Sequence, residues 1–136
     1  MNKCVITGNE IIGDGNNAAP IADARCSDEA NMNVVIPYRR FLANDKKDMA
    51  MLLKTDNTIE LVKPNNEYFS LKELQGYVEG LIEYYPHRID GNNIICNEEG
   101  LLQNLPYNNL ARLILDIDLV GPVLVSPTNL DEYDED

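Results

Sequence analysis

The stretch "FSLKELQGYVEG" (69–80) decides how the rest of the chain is read. Ser70 stands three residues before Glu73, the spacing of a capping box. There a hydroxyl and a carboxylate satisfy N–H groups that a first helical turn leaves without partners. Phe69 and Leu74 occupy the positions of a hydrophobic staple around that cap. Leu71, Leu74 and Val78 recur at i, i+3 and i+7, so one stripe of the helix is apolar and needs a surface to pack on. Gly80 is placed to take the left-handed conformation at the C-terminus. Gly76, inside the helix, costs up to about 1 kcal/mol of helix propensity, a cost that a close approach to a sheet would explain.

The flanks supply that sheet. Upstream, "MAMLLK" (49–54) and "TIELVK" (58–63) surround Thr55-Asp56-Asn57 and read as a β-hairpin. Ile59 and Leu61 alternate with Glu60, the pattern of a strand with one buried and one wet face. Downstream, "LIEYYPHRI" (81–89) and "NNIICN" (92–97) flank Asp90-Gly91, a pair that favours the positive φ angles of a tight hairpin turn. Pro86 removes a ladder donor, so the first of these strands carries an edge or a bulge there. "LPYNNLARLIL" (105–115) reads as a second helix, with Pro106 near its start and Leu110, Leu113 and Ile114 facing inward. "DLVGPVLVS" (118–126) is a last strand interrupted at Gly121-Pro122. The order from residue 49 onward is β-β-α-β-β-α-β. The fold class expected is α+β: a mostly antiparallel sheet with two helices on one face, plus a small loop-rich N-terminal β module.

In that module "GDGNNAAP" (13–20) is a loop, flanked by short strands around Cys4–Thr7 and Val34–Ile36, the second ended by Pro37. The expected division is a 1–37 module, a basic connector over 38–48 with room for a short helix, an α+β domain over 49–127, and an acidic tail over 128–136. A chain of 136 residues fits one domain with a small appendage. With no Trp and two Phe, its core must rest on Leu, Ile, Val, Met and Tyr. No apolar run is long enough to span a bilayer, and the N-terminus lacks a signal-peptide core, so a cytoplasmic location is expected. Three widely spaced Cys point to reduced thiols.

The formal net charge of −12 excludes unaided nucleic-acid binding, because phosphates repel such a surface. Positive charge gathers only in 34–55, in Arg39, Arg40, Lys46, Lys47 and Lys54. The tail "DEYDED" (131–136) is either a solvated end or a mimic of phosphate charge that engages a basic partner.

The stretch "NIICNEEG" (93–100) is the strongest chemical candidate. Catalytic carboxylate pairs stand on opposite sides of a substrate with divergent pKa values, whereas Glu98 and Glu99 are neighbours at a strand end. Cys96 alternates with Ile95 and reads as a small core residue. His87 would reach Cys96 across the hairpin only without an orienting group or an oxyanion hole. The Gly-containing loops do not precede a helix bearing Lys-Ser/Thr. No catalytic residue, metal site or cofactor is therefore assigned. Partner contacts are assigned to Glu98, Glu99, the tail carboxylates Asp131, Glu132, Asp134, Glu135 and Asp136, and the tyrosines Tyr84 and Tyr85, whose rings give large rigid contact area.

Several motifs fall in order from Met49 to Ser126: "YVEGLIEYY" with Val78, Gly80, Ile82 and Glu83; Asn97-Glu98-Glu99-Gly100; Leu105-Pro106-Tyr107-Asn108; and Leu119-Val120-Gly121. In these the chain resembles a small domain-of-unknown-function family found in bacteriophages and conjugative elements. The resemblance implies a mobile-element origin and no particular chemistry. The first part resembles a small phage N-terminal module with "G-N-N-A-x-P-(I/V)" and Cys pairs at both ends, which implies a zinc ribbon. Here Thr7, Ser27 and Ala30 stand where that module has thiols. Zinc takes about four ligands, so Cys4 and Cys26 would need Asp28, Glu29 or His87. A metal-free remnant of the loop fold is expected.

The function expected is that of a non-enzymatic accessory protein of a phage or mobile element that binds a host protein. Its most specific version is counter-defence: inhibition, in the manner of an anti-CRISPR, of a nucleic-acid-binding nuclease in the host cytoplasm. No direct contact with nucleic acid or membrane is expected. One alternative is a self-assembling homodimer that uses strand 118–126 as an edge together with the tyrosines. The other is a small metal-binding module built on Cys4, Cys26, Cys96 and His87.

Overall fold

A computed structural model describes residues 2–130. Its centre is a five-stranded antiparallel sheet in the order β4-β3-β7-β6-β5. The strands are β3 (Ala50–Leu53), β4 (Ile59–Val62), β5 (Ile82–Tyr84), β6 (Asn92–Asn97) and β7 (Val123–Pro127). Two two-residue strands, β1 (Asn16–Asn17) and β2 (Arg25–Cys26), pair by themselves in the N-terminal segment. The α+β class and the antiparallel sheet agree with the sequence reading.

Both hairpins form as their turn residues require. The first closes with Asn57 at φ 64°, the second with Asp90 at 52° and Gly91 at 79°. Between them lies α3 (Leu71–Val78), capped reciprocally: Glu73 N donates to Ser70 Oγ at 3.1 Å, and Ser70 N donates to Glu73 Oε1 at 3.0 Å. Phe69, Leu74 and Val78 are buried against Ala50, Leu52, Val62, Ile95 and Leu124. The left-handed residue that ends α3 is Glu79, at φ 66°, and not Gly80. Gly76 faces open space, so no sheet contact accounts for it.

The helices lie on opposite faces of the sheet, which corrects the expectation of one shared face. Met51, Leu53, Ile94, Cys96, Val123 and Val125 point away from α3 and pack under Leu110, Ala111 and Leu115. Those three belong to a helical segment that widens into a π-type turn at Ala111–Leu115. The helix expected over 105–115 is thus shorter; residues 105–108 stay extended, with Tyr107 bridged to Val120. The physical reason for two covered faces is visible in β3 and β7. Every residue of both strands is buried, as in a sheet sandwiched between layers.

The second layer is completed by the N-terminal segment. Cys4, Ile6, Ile11, Ala18, Cys26, Ala30, Val34 and Val35 join the same cluster as Met51 and Val125. Val34–Ile36 is helical and not a strand. One helical run continues from α1 (Asp28–Ala30) through a π turn (Asn31–Val35) into α2 (Ile36–Ala43). Pro37 does not end this run. It follows the widened turn, where a helix tolerates a missing N–H and the bulk of the ring. Residues 4–7 form a turn with only the single bridge Lys3–Glu10 beside it. Strand β7 pairs with β3 on one side and β6 on the other. It is the centre of the sheet, so it offers no edge for the dimer the sequence reading drew from it; the edges are β4 and β5.

Candidate functional site

The end of β6 carries the acidic turn, and Asn97 fixes it. Asn97 is buried on the α3 face. Its Nδ2 donates to the carbonyl of Val78, in the last turn of α3, at 3.0 Å and to Gln103 Oε1 at 3.3 Å; its Oδ1 accepts from Glu99 N at 2.7 Å. Backbone bonds continue the lock: Glu98 N to Leu81 O at 2.8 Å, Gln103 N to Glu99 O at 2.9 Å and Leu105 N to Gly100 O at 3.0 Å. Gly100 lies so close to Val120 that an added Cβ would stand 2.7 Å from its Cγ2. The turn is therefore pinned to α3 on one side and to the approach of β7 on the other.

This rigid turn borders a groove of about 390 Å³. Cys96, Leu119 and Val120 give it an apolar lining, and Glu83, Glu98, Glu99 and Asp118 stand around it. Leu101 and Leu102, at its lip, are 79% and 82% exposed. Neither side chain joins either core cluster. Asp118 accepts from the Tyr107 hydroxyl at 2.6 Å. Among the described residues no salt bridge engages Glu83, Glu98 or Glu99. A depression of about 430 Å³ beside Gly76 and Tyr77 also exists; there Lys54 pairs with Glu60 at 2.8 Å, and Asp56 and Glu79 stand beside them.

The partner residues assigned from sequence separate into three groups. Glu98 and Glu99 border this groove, with Glu98 exposed and Glu99 half-buried. Tyr84 is exposed on edge strand β5, whereas Tyr85 packs against the inner cluster and has its ring 6.1 Å from that of His87. Asp131, Glu132, Asp134, Glu135 and Asp136 lie outside the described residues. Sequence reasoning missed Leu101 and Leu102, although "GLLQN" places two leucines in a polar turn, which is itself a signal.

The chemical candidates do not converge. Cys96 lies across the ladder from Glu83, and its thiol donates to the Glu83 carbonyl at 3.6 Å. Burial, with the Glu83 charge adding to it, pushes the thiol up to about 11. His87 sits nearer the other end of the hairpin, against Tyr85. Among the described residues no three His, Cys, Asp or Glu side chains are grouped so as to hold a metal ion. No helix among them is long and apolar enough to cross a membrane.

Residues 46–135 match a family described as Domain of unknown function (DUF3846). The chain belongs to that family. The match takes in the whole five-stranded sheet, α3 and the groove, and it leaves out the N-terminal segment that covers the second face. No curated protein and no solved structure matches the chain. The DUF3846 region thus carries both the acidic turn and its anchor Asn97.

Proposed function

We propose that this DUF3846 protein is a non-enzymatic binding protein that docks a basic segment of a partner protein in the groove beside the 97–105 turn. The observation that carries the reading is the pairing of Leu101 and Leu102, both exposed, with Glu83, Glu98 and Glu99, which no salt bridge among the described residues engages, around an apolar groove. Apolar anchors supply affinity, and surrounding charge supplies orientation and encounter rate. The hydrogen-bonded turn adds preorganisation, because little conformational entropy remains to be lost on binding. The overall charge of −12 favours a partner with a positive surface. Together with a phage or mobile-element origin and a cytoplasmic location, this supports counter-defence: occupation of the nucleic-acid groove of a host nuclease, in the manner of an anti-CRISPR.

The test is capture of host proteins on the full-length chain, beside a tail-deleted chain, at low and high salt. The reading expects a retained basic protein that the tail-deleted chain still holds and that high salt releases, since screening weakens exposed charge pairs. Retention that is indifferent to salt would remove the charge-mimic reading.

A further inference from the structure

The N-terminal segment contains a second chemical feature, independent of the groove. Cys4 and Cys26 lie in the same buried cluster. Val5 N donates to Arg25 O at 3.1 Å, so the backbones that flank the two cysteines run side by side. The Cys4 sulfur accepts the Thr7 N–H at 3.4 Å. The backbone N–H groups of Ser27 and Ile6 act on it as well, and Ser27 directly follows Cys26. The sulfur of one cysteine is thus held against the backbone of the other. A sulfur that gathers several N–H donors is prepared to carry negative charge. Cys4 itself is buried, but its backbone is bonded to exposed residues: Gly8 N donates to Cys4 O at 2.8 Å and Cys4 N donates to Asn9 O at 2.7 Å.

We propose that Cys4 and Cys26 form an oxidisable dithiol site, with Cys4 the nucleophile toward a small peroxide and Cys26 the resolving thiol. The Cys4 thiolate attacks one peroxide oxygen. The O–O bond breaks, a sulfenic acid forms on Cys4 and hydroxide departs. The Cys26 sulfur then attacks the Cys4 sulfur and loses its proton; the S–O bond breaks, the S–S bond forms and a second hydroxide leaves, the two becoming water with available protons. Two electrons pass from the thiols to the peroxide. Burial pushes the Cys4 thiol up, but the Thr7 bond and the backbone donors outweigh it and bring the group to about 7. Cys26 is raised, by burial and then by the Cys4 charge, so it is the protonated member of the pair and gives up that proton as it attacks. Cys96, at about 11, is the internal control.

The experiment treats the full chain with hydrogen peroxide at neutral pH and reads intact mass and non-reducing peptide maps. The expected product is a loss of two hydrogens mapping to a Cys4–Cys26 disulfide. Cys26→Ser is expected to stop at a sulfenic acid on Cys4, trapped by a cyclic diketone. A second measurement on the wild type needs no variant to fold: alkylation with iodoacetamide across pH. Cys4 is expected to label at least about 100-fold faster than Cys96 at neutral pH, with a midpoint near its own pKa. A disulfide that includes Cys96, a sulfenic acid appearing first on Cys26, or equal labelling of Cys4 and Cys96 would each overturn the proposal.

Discussion

The two faces of the sheet are covered by different means. On one, a single capped helix lays Phe69, Leu74 and Val78 over Leu52, Ile95 and Leu124. On the other, the cover is assembled from the N-terminal segment and the turn at Ala111–Leu115. The first cover is held by its own periodicity. The second is held by side chains reaching to distant backbone: Asn109 Nδ2 to Ile6 O at 2.8 Å, Arg39 Nε to Ala19 O at 2.9 Å, and Asn108 Nδ2 to Leu53 O at 2.9 Å. A regular element is a local statement of the chain. An irregular cover is a set of long-range agreements, each of which matters singly.

That contrast orders the expected effects. On the helical face, Phe69→Ala removes a fully buried ring that meets Tyr77 edge-on at 5.9 Å. It should cost about 4 kcal/mol in urea unfolding, and a loss under about 1 kcal/mol would mean that α3 is not the cover it is taken to be. On the irregular face, Asn108→Ala deletes two donors and the acceptor of Ala111 N at 2.9 Å, all buried. The expected cost is about 3 kcal/mol, because the abandoned carbonyls and N–H stay out of water.

The thiols give the comparison a pH axis. Cys96 has a folded-state pKa of about 11, above the ordinary value of 9.0. Its neutral form is favoured by folding, so its contribution is complete below pH 9 and is lost as pH rises through 11. The loss amounts to about 3 kcal/mol at most and should vanish in Cys96→Ala. Cys4, shifted to about 7, has the opposite sign: its contribution appears between pH 7 and 9. Urea midpoints from pH 7 to pH 11, in wild type and in each cysteine variant, separate the two. The smallest effect is a gain. Gly76→Ala meets nothing within 4 Å, so it should stabilise α3 by about 0.5–1 kcal/mol, read as a higher melting temperature. A destabilised variant would show that the helix needs that glycine.

The same contrast explains what was legible in the sequence. Ser70 and Glu73, Asp90-Gly91 and the i, i+3, i+7 stripe act within a few residues, so the capped helix and the hairpins could be read directly. A single shared face follows from the one-sided pattern of Ile59-Glu60-Leu61, whereas the unbroken apolar runs at 50–53 and 123–125 carry the two-sided signal. At Val34–Ile36 β-branched residues before a proline favour a strand, and the widened turn that admits Pro37 has no sequence mark. Of the groove, Glu98 and Glu99 were legible as an exposed acidic turn. Asn97 as its anchor was not, since its partner Val78 is 19 positions away.

The most direct test of the docking groove is the double variant Leu101→Asp/Leu102→Asp of the full chain, in host-protein capture at about 50 mM and about 500 mM salt. Both side chains are solvent-exposed, so its melting temperature should match the wild type. The account predicts that the variant loses the partner at both salt concentrations, while Glu98→Gln/Glu99→Gln weakens capture and flattens its salt dependence. Undiminished capture of the same partner by the leucine variant would contradict it.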